Sequence, residues 1–164
     1  MTPTLLPERH FIGKFIQSPI NTASTQELWK SFMPLRKQIN AISEELFSVI
    51  VPTEDTRKSG QLTMHSTVDK WAAVEVDPSY PTPENLDRLI IPAGDYLSFE
   101  YVGRASDYGP FIGNIHGNIL PQNGFAFDMR PQFEVMGAEY LGHDNPNSRE
   151  TLYVPVRRIQ SDSV

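Results

Sequence analysis

The chain has 164 residues, with 14 basic and 20 acidic side chains, a formal net charge of −6, and no cysteine. That length suits one domain, or two small equivalent halves sharing one core, and the missing cysteines exclude disulfides and thiolate metal sites. Hydrophobic residues at 39% and charged residues at 21% exclude a disordered composition, and no apolar run is long enough to span a bilayer. The acidic balance argues against a phosphate-binding surface, so no direct contact with nucleic acid is expected. The segment Met1–His10 lacks a basic start followed by an apolar stretch, so the expectation is a soluble, cytoplasmic protein.

In chain order, Phe11 to Ile16 reads as a strand, followed by a turn at Ser18, Pro19 and Asn21. Ser24-Thr25-Gln26-Glu27 fits a capping box, predicting a helix start. Leu28, Phe32, Leu35 and Ile39 continue at spacings that put them on one helical stripe, with Pro34 interrupting it. Phe47–Val51 and Trp71–Val76 read as strands, separated by the polar stretch Pro52–Asp69, which reads as a long loop. Asp77 to Glu84 holds three prolines and can be neither helix nor central strand.

The second half repeats the order. Asp95–Val102 is an aromatic-rich strand ended by Gly103. Ser106 or Asp107 can cap a second helix, with Pro110 in its first turn and Tyr108, Phe111 or Ile112, Ile115 and Ile119 on its stripe. Gly113 and Gly117 each weaken that helix by roughly 1 kcal/mol relative to alanine, so packing must supply its stability. Phe125–Phe127, Phe133–Met136 and Leu152–Val156 read as strands. The helix starts and the closing strands are each offset by about half the chain, so a strand–helix–strand–strand unit used twice is the simplest account. Such units join sheet edge to sheet edge and place both helices on one face. The fold class is therefore α+β: two pseudo-symmetric βαββ repeats, about 9–77 and 86–157 with a tail over 158–164, forming a curved antiparallel sheet with a groove between its helices. Clefts at such internal interfaces are preferred ligand sites.

The search for chemistry is largely negative. The histidines, His10, His65, His116 and His143, show no metal-ligand spacing, and no nucleophile or phosphate-loop motif is present, so neither metal nor cofactor is expected. What remains are carboxylates set in strands: Glu75, Glu100 and Glu134. Glu134 shares its face with Met136 while Phe133 and Val135 share the other, so Glu134 faces either water or a covered pocket. A pocket-facing carboxylate without a partner has a raised pKa and attracts a positive or hydrogen-bond-donating ligand, with aromatic walls adding about 1 kcal/mol each.

Several ordered segments resemble the GyrI-like, or AraC-type effector-binding, domain family. They are Ile91-Pro92-Ala93-Gly94-Asp95-Tyr96, Leu120-Pro121-Gln122-Asn123-Gly124-Phe125, Arg130-Pro131-Gln132-Phe133-Glu134-Val135, Leu152-Tyr153-Val154-Pro155-Val156 and, in the first half, Lys70-Trp71-Ala72-Ala73-Val74-Glu75-Val76. The resemblance implies a stand-alone binder of small amphipathic, aromatic and cationic compounds. Glu134 would form the groove floor, Glu139 is its competitor, and Tyr108, Tyr153, Trp71, Tyr101 and Met136 would line the walls. It also leaves open a hydrolase of strained-ring electrophiles that uses the same glutamate, and a protein-interaction module that inhibits a nucleic-acid enzyme such as DNA gyrase.

Overall fold

A computed structural model describes residues 1–160 of the protein. The first half contains strands β1 (Thr4–Leu6) and β2 (Arg9–Pro19), helix α1 (Thr25–Arg36), strand β3 (Leu46–Pro52), helix α2 (Glu54–Ser59) and strand β4 (Thr67–Val76). The second half opens with β5 (Asp87–Ile91), β6 (Gly94–Val102) and a 3-10 turn (Ala105–Asp107). Helix α3 (Tyr108–Asn114) follows, then a π-helical segment (Ile115–Ile119), the short turn α4 (Leu120–Gln122), β7 (Phe125–Phe127), β8 (Gln132–Met136) and β9 (Arg149–Arg158).

The strands pair antiparallel in the order β1-β6-β9-β8-β3-β4-β2-β5, and β7 pairs with the end of β9. Within this order β2-β4-β3 and β6-β9-β8 are the same arrangement, each the product of one strand–helix–strand–strand run, and they meet at the β8–β3 seam. Across that seam Glu134 lies opposite Ser48, and the row continues through Leu152 to Phe99 on one side and Ala72 to Lys14 on the other.

Alternation divides the sheet into two covered faces. On one, Ile12, Ala72 and Val74 pack against Leu28 and Phe32 of α1. On the same face Leu97, Leu152 and Val154 pack against Ile115 and Leu120. On the other, Phe11, Phe47, Val49, Trp71 and Phe133 are buried without any helix above them. Their partners include Leu6, Leu89 and Ile91, from strands at opposite ends of the sheet order. The sheet therefore curls into a half-barrel around this second core. Gly13 permits the curl: a Cβ there would strike the Ala72 carbonyl of β4. Inside the curl Arg9 pairs with Glu75 at 2.7 Å, and its guanidinium lies 5.2–5.7 Å from the ring centres of Phe11, Phe47 and Phe133.

Three local expectations are corrected. The capping box at Ser24 does not form: Ser24 sits in a helical conformation without a side-chain cap, its hydroxyl near Ser18 and Thr22 instead. The stretch Pro52–Asp69 is not wholly loop, because Thr53 caps α2, Gly60 ends it in the left-handed region at φ 73°, and β4 begins at Thr67. The second helix is not uniformly α-helical. In its middle Leu120 N–H bonds to the Ile115 carbonyl, a π-type step. Pro121 has no N–H to offer Gly117, and its ring would crowd that carbonyl, which favours the widened turn just before it. At the end of the chain Arg158 belongs to β9 and Ile159 N–H bonds to the Gly124 carbonyl, while 161–164 of the expected tail lie outside the described residues.

Candidate functional site: a carboxylate pair beneath the second helix

The strip between the two helices is only partly covered: on β8 Gln132 and Met136 are buried while Glu134 between them is half-buried. Along β3, Phe47 and Val49 on the half-barrel face are buried, while Leu46, Ser48 and Ile50 on the helix face are half-exposed. They lie opposite Met136, Glu134 and Gln132 of β8. Helix α1 covers β2 and β4, and the second helix covers β6 and β9, so the seam strands form the floor of a groove with Glu134 at its centre.

Glu134 does not stand alone. Its opposite number on β9 is Leu152, so Glu150, two residues along on the same face, is its diagonal neighbour. Opposite Glu150 on β6 is Tyr101. From above, α3 supplies Tyr108 and Phe111, whose rings pack on Tyr101 at centroid distances of 5.1 and 4.9 Å. Gly103 shapes this corner: it sits at φ 150°, a Cβ there would come within 2.9 Å of the Tyr101 hydroxyl, and that hydroxyl donates to the Arg104 carbonyl.

The electrostatics of the cluster are those of acids without a base. The Glu134 carboxyl is held well above the usual carboxylate range, first by burial and then by the negative charge of Glu150. The Tyr108 hydroxyl is the weakest influence and acts the other way. It is fully buried but stops short of proper hydrogen-bond geometry with any partner. Glu150 is also raised, by burial. Burial lifts Tyr108 and Tyr140, and the charges of Glu134 and Glu150 lift them further. Among the described residues no arginine, lysine or histidine contributes to the shift of either carboxylate. Lys70 is occupied elsewhere, donating from Nζ to the Ile20 and Thr22 carbonyls at 3.1 and 2.7 Å. His116 reaches Gln132 at 2.9 Å, and burial lowers its pKa, so it is a neutral ring. Such a cluster can keep a proton at neutral pH, accept a cation in place of that proton, or deliver the proton to a bound molecule.

Of the residues expected at the site, Glu134, Tyr108, Tyr101 and Met136 share the helix-bearing face. Trp71 and Tyr153 do not. They lie on the half-barrel face, where Trp71 stacks on Phe15 at 4.7 Å and Tyr153 on Phe133 at 4.9 Å. The reason is parity: Tyr153 follows Leu152, which faces the second helix, and Trp71 precedes Ala72, which faces α1. Glu139 is exposed in the turn after β8, Glu75 is paired with Arg9, and Glu100 is exposed 3.5 Å from Arg149. The sequence reading missed Glu150 and Tyr140. Glu150 could have been found by extending the alternation Leu152-Val154-Val156 backwards by one step. Two surface hollows lie elsewhere, about 410 Å³ lined by Leu141–Pro146 and about 700 Å³ around Thr53–Thr67, and neither includes Glu134.

Comparison with known proteins agrees with this architecture. The family model for the GyrI-like small molecule binding domain matches residues 4–157. The transcriptional regulator BrlR of Pseudomonas aeruginosa is 29% identical over 85 residues, which cover 52% of this chain and 32% of BrlR, so the match spans about a third of that relative. Among solved structures, SAV2435 bound to tetraphenylphosphonium superimposes with a TM-score of 0.71 at 14% identity, covering 95% of this chain and 93% of that one. The EcmrR C-terminal domain does so with a TM-score of 0.67 at 13% identity, covering 96% and 97%. A hydrolase encoded by lin2189 from Listeria innocua gives 0.56 at 12% identity, covering 95% and 91%. At these identities the likeness is one of fold. No helix among the described residues is long and apolar enough to cross a membrane. With a family model matched over nearly its whole length, the chain belongs to the GyrI-like small molecule binding domain family.

Proposed function

We propose that the protein binds amphipathic aromatic cations in the groove between its helices, with Glu134 as the counter-charge. The observation that carries this reading is the half-buried Glu134 carboxylate, which has no cationic partner among the described residues and lies beneath the Tyr101–Tyr108–Phe111 ring cluster. A cation entering the groove replaces the water that Glu134 lacks, and the rings meet its hydrophobic periphery. Micromolar binding corresponds to about −8 kcal/mol, within reach of one desolvated ion pair and two or three aromatic contacts. The tetraphenylphosphonium held by SAV2435, a protein of the same fold, supports this ligand class. Thermal denaturation with added tetraphenylphosphonium, compared with neutral tetraphenylmethane or triphenylmethanol, tests the reading. The expected result is a concentration-dependent rise in Tm for the cation alone. Equal shifts for charged and neutral compounds, or none for either, would oppose it.

A second reading is favoured by the same proton. A carboxylic acid whose pKa is raised by burial and by a neighbouring carboxylate, set beside a tyrosine, can act as a general acid toward a bound electrophile. The hydrolase from Listeria innocua shares the fold. Product accumulating beyond one equivalent of protein from a strained-ring substrate would support catalysis over binding alone.

A further inference from the structure

The groove holds more acid than a single positive charge requires. Glu134 and Glu150 sit on adjacent strands on one face, one step apart diagonally, with Leu152 between them in the β9 sequence. The groups that face them are Tyr101 from β6, Tyr108 from α3 and Tyr140 from the turn after β8, while the nearby His116 is neutral and Lys70 is engaged with backbone carbonyls. The buried Tyr108 hydroxyl lacks a partner and reaches toward this same space.

We propose that Glu150 is a second acid of the groove and that the site prefers a ligand with two positive charges a short distance apart. This inference rests on the cation-receptor reading and extends it. Two like carboxyls side by side resist ionising together without a counter-charge, so the pair gives up its last proton late. A monocation is neutralised by the one ionised carboxylate and leaves that proton in place. A dication neutralises both carboxylates, so the proton must leave. Its affinity should therefore rise by up to tenfold per pH unit below the pair's upper titration, while monocation affinity changes little.

A matched pair of probes tests this: 1-methyl-4-phenylpyridinium, with two rings and one charge, and 1,1′-dimethyl-4,4′-bipyridinium, with two rings and two charges. Isothermal titration at pH 8, in two buffers of different ionisation enthalpy, gives both affinity and proton count. The expected result is at least tenfold tighter binding of the dication, with more proton released by the dication than by the monocation. Glu150→Gln should remove the dication's advantage over the monocation and its extra proton release. If the monocation binds in a Glu134-dependent way but the dication has no advantage, this inference alone fails. Equal loss of both probes in Glu150→Gln would also overturn it. If neither probe binds the wild-type protein, the cation-receptor reading fails and takes this inference with it.

Discussion

Glu134 and Tyr108 place polar atoms where folding alone would not. A buried hydroxyl without a hydrogen-bond partner costs about 1–3 kcal/mol, and Tyr108 carries one. Tyr108→Phe is therefore expected to keep or raise Tm, by up to several degrees, while weakening binding of cations that offer N–H donors; calorimetric melting and a binding titration check the two halves. The carboxylates obey the same logic through pH. Both have folded pKa values raised above their unfolded ones, so between those values the native state holds more protons than the unfolded chain. Stability from this source is present in acid and is lost as pH rises through the raised folded values, at a rate of about 1.4 kcal/mol per pH unit for each proton, or about 3–5 °C in Tm. Glu150→Gln should flatten that decline across pH 5–8 and leave the variant more stable than wild type at pH 8. A variant curve parallel to the wild-type curve would show that the pair does not titrate in this range.

At the scale of elements, the second helix differs from the first in a way that serves the site. Helix α1 carries Pro34 in its last turn and seats Leu28 and Phe32 on the sheet. The second is widened over Ile115–Ile119 ahead of Pro121, which sets the phase between Tyr108 at one end and Leu120 at the other. The sequence shows the helix and its stripe because Tyr108, Phe111, Ile112, Ile115 and Ile119 pack as their spacing requires. It does not show the π segment, because no propensity distinguishes that turn and its cause lies one turn downstream. The same contrast holds for the carboxylates. Alternation within Phe133–Met136 puts Glu134 opposite Phe133, but only the register of β8 on β9 brings Glu150 to it. For Trp71 and Tyr153 the resemblance supplies aromatic positions, while strand parity decides that they face the half-barrel core.

For the molecule as a whole, two cores share one sheet, and they have separate tasks. The half-barrel core, with Arg9 and Glu75 ringed by Phe11, Phe47 and Phe133, holds the curl without contributing to the groove. Glu75→Gln leaves Arg9 largely buried with no counter-charge, at a cost of about 3 kcal/mol, reduced to the extent that water reaches the pair. The expected effect is a Tm lower by several degrees with cation affinity unchanged, read by melting and titration on the same sample. Curling gathers the apolar residues of β1 and β5 on the inside and leaves the seam strands between the helices as an open floor, which is how one duplicated unit yields both a stable core and a ligand groove. The most direct test of that floor is the affinity of wild type and Glu134→Gln for tetraphenylphosphonium, measured by isothermal titration at pH 8. A loss of at least tenfold, with the melting temperature maintained or raised, is the expected result. An unchanged affinity in Glu134→Gln would contradict the account.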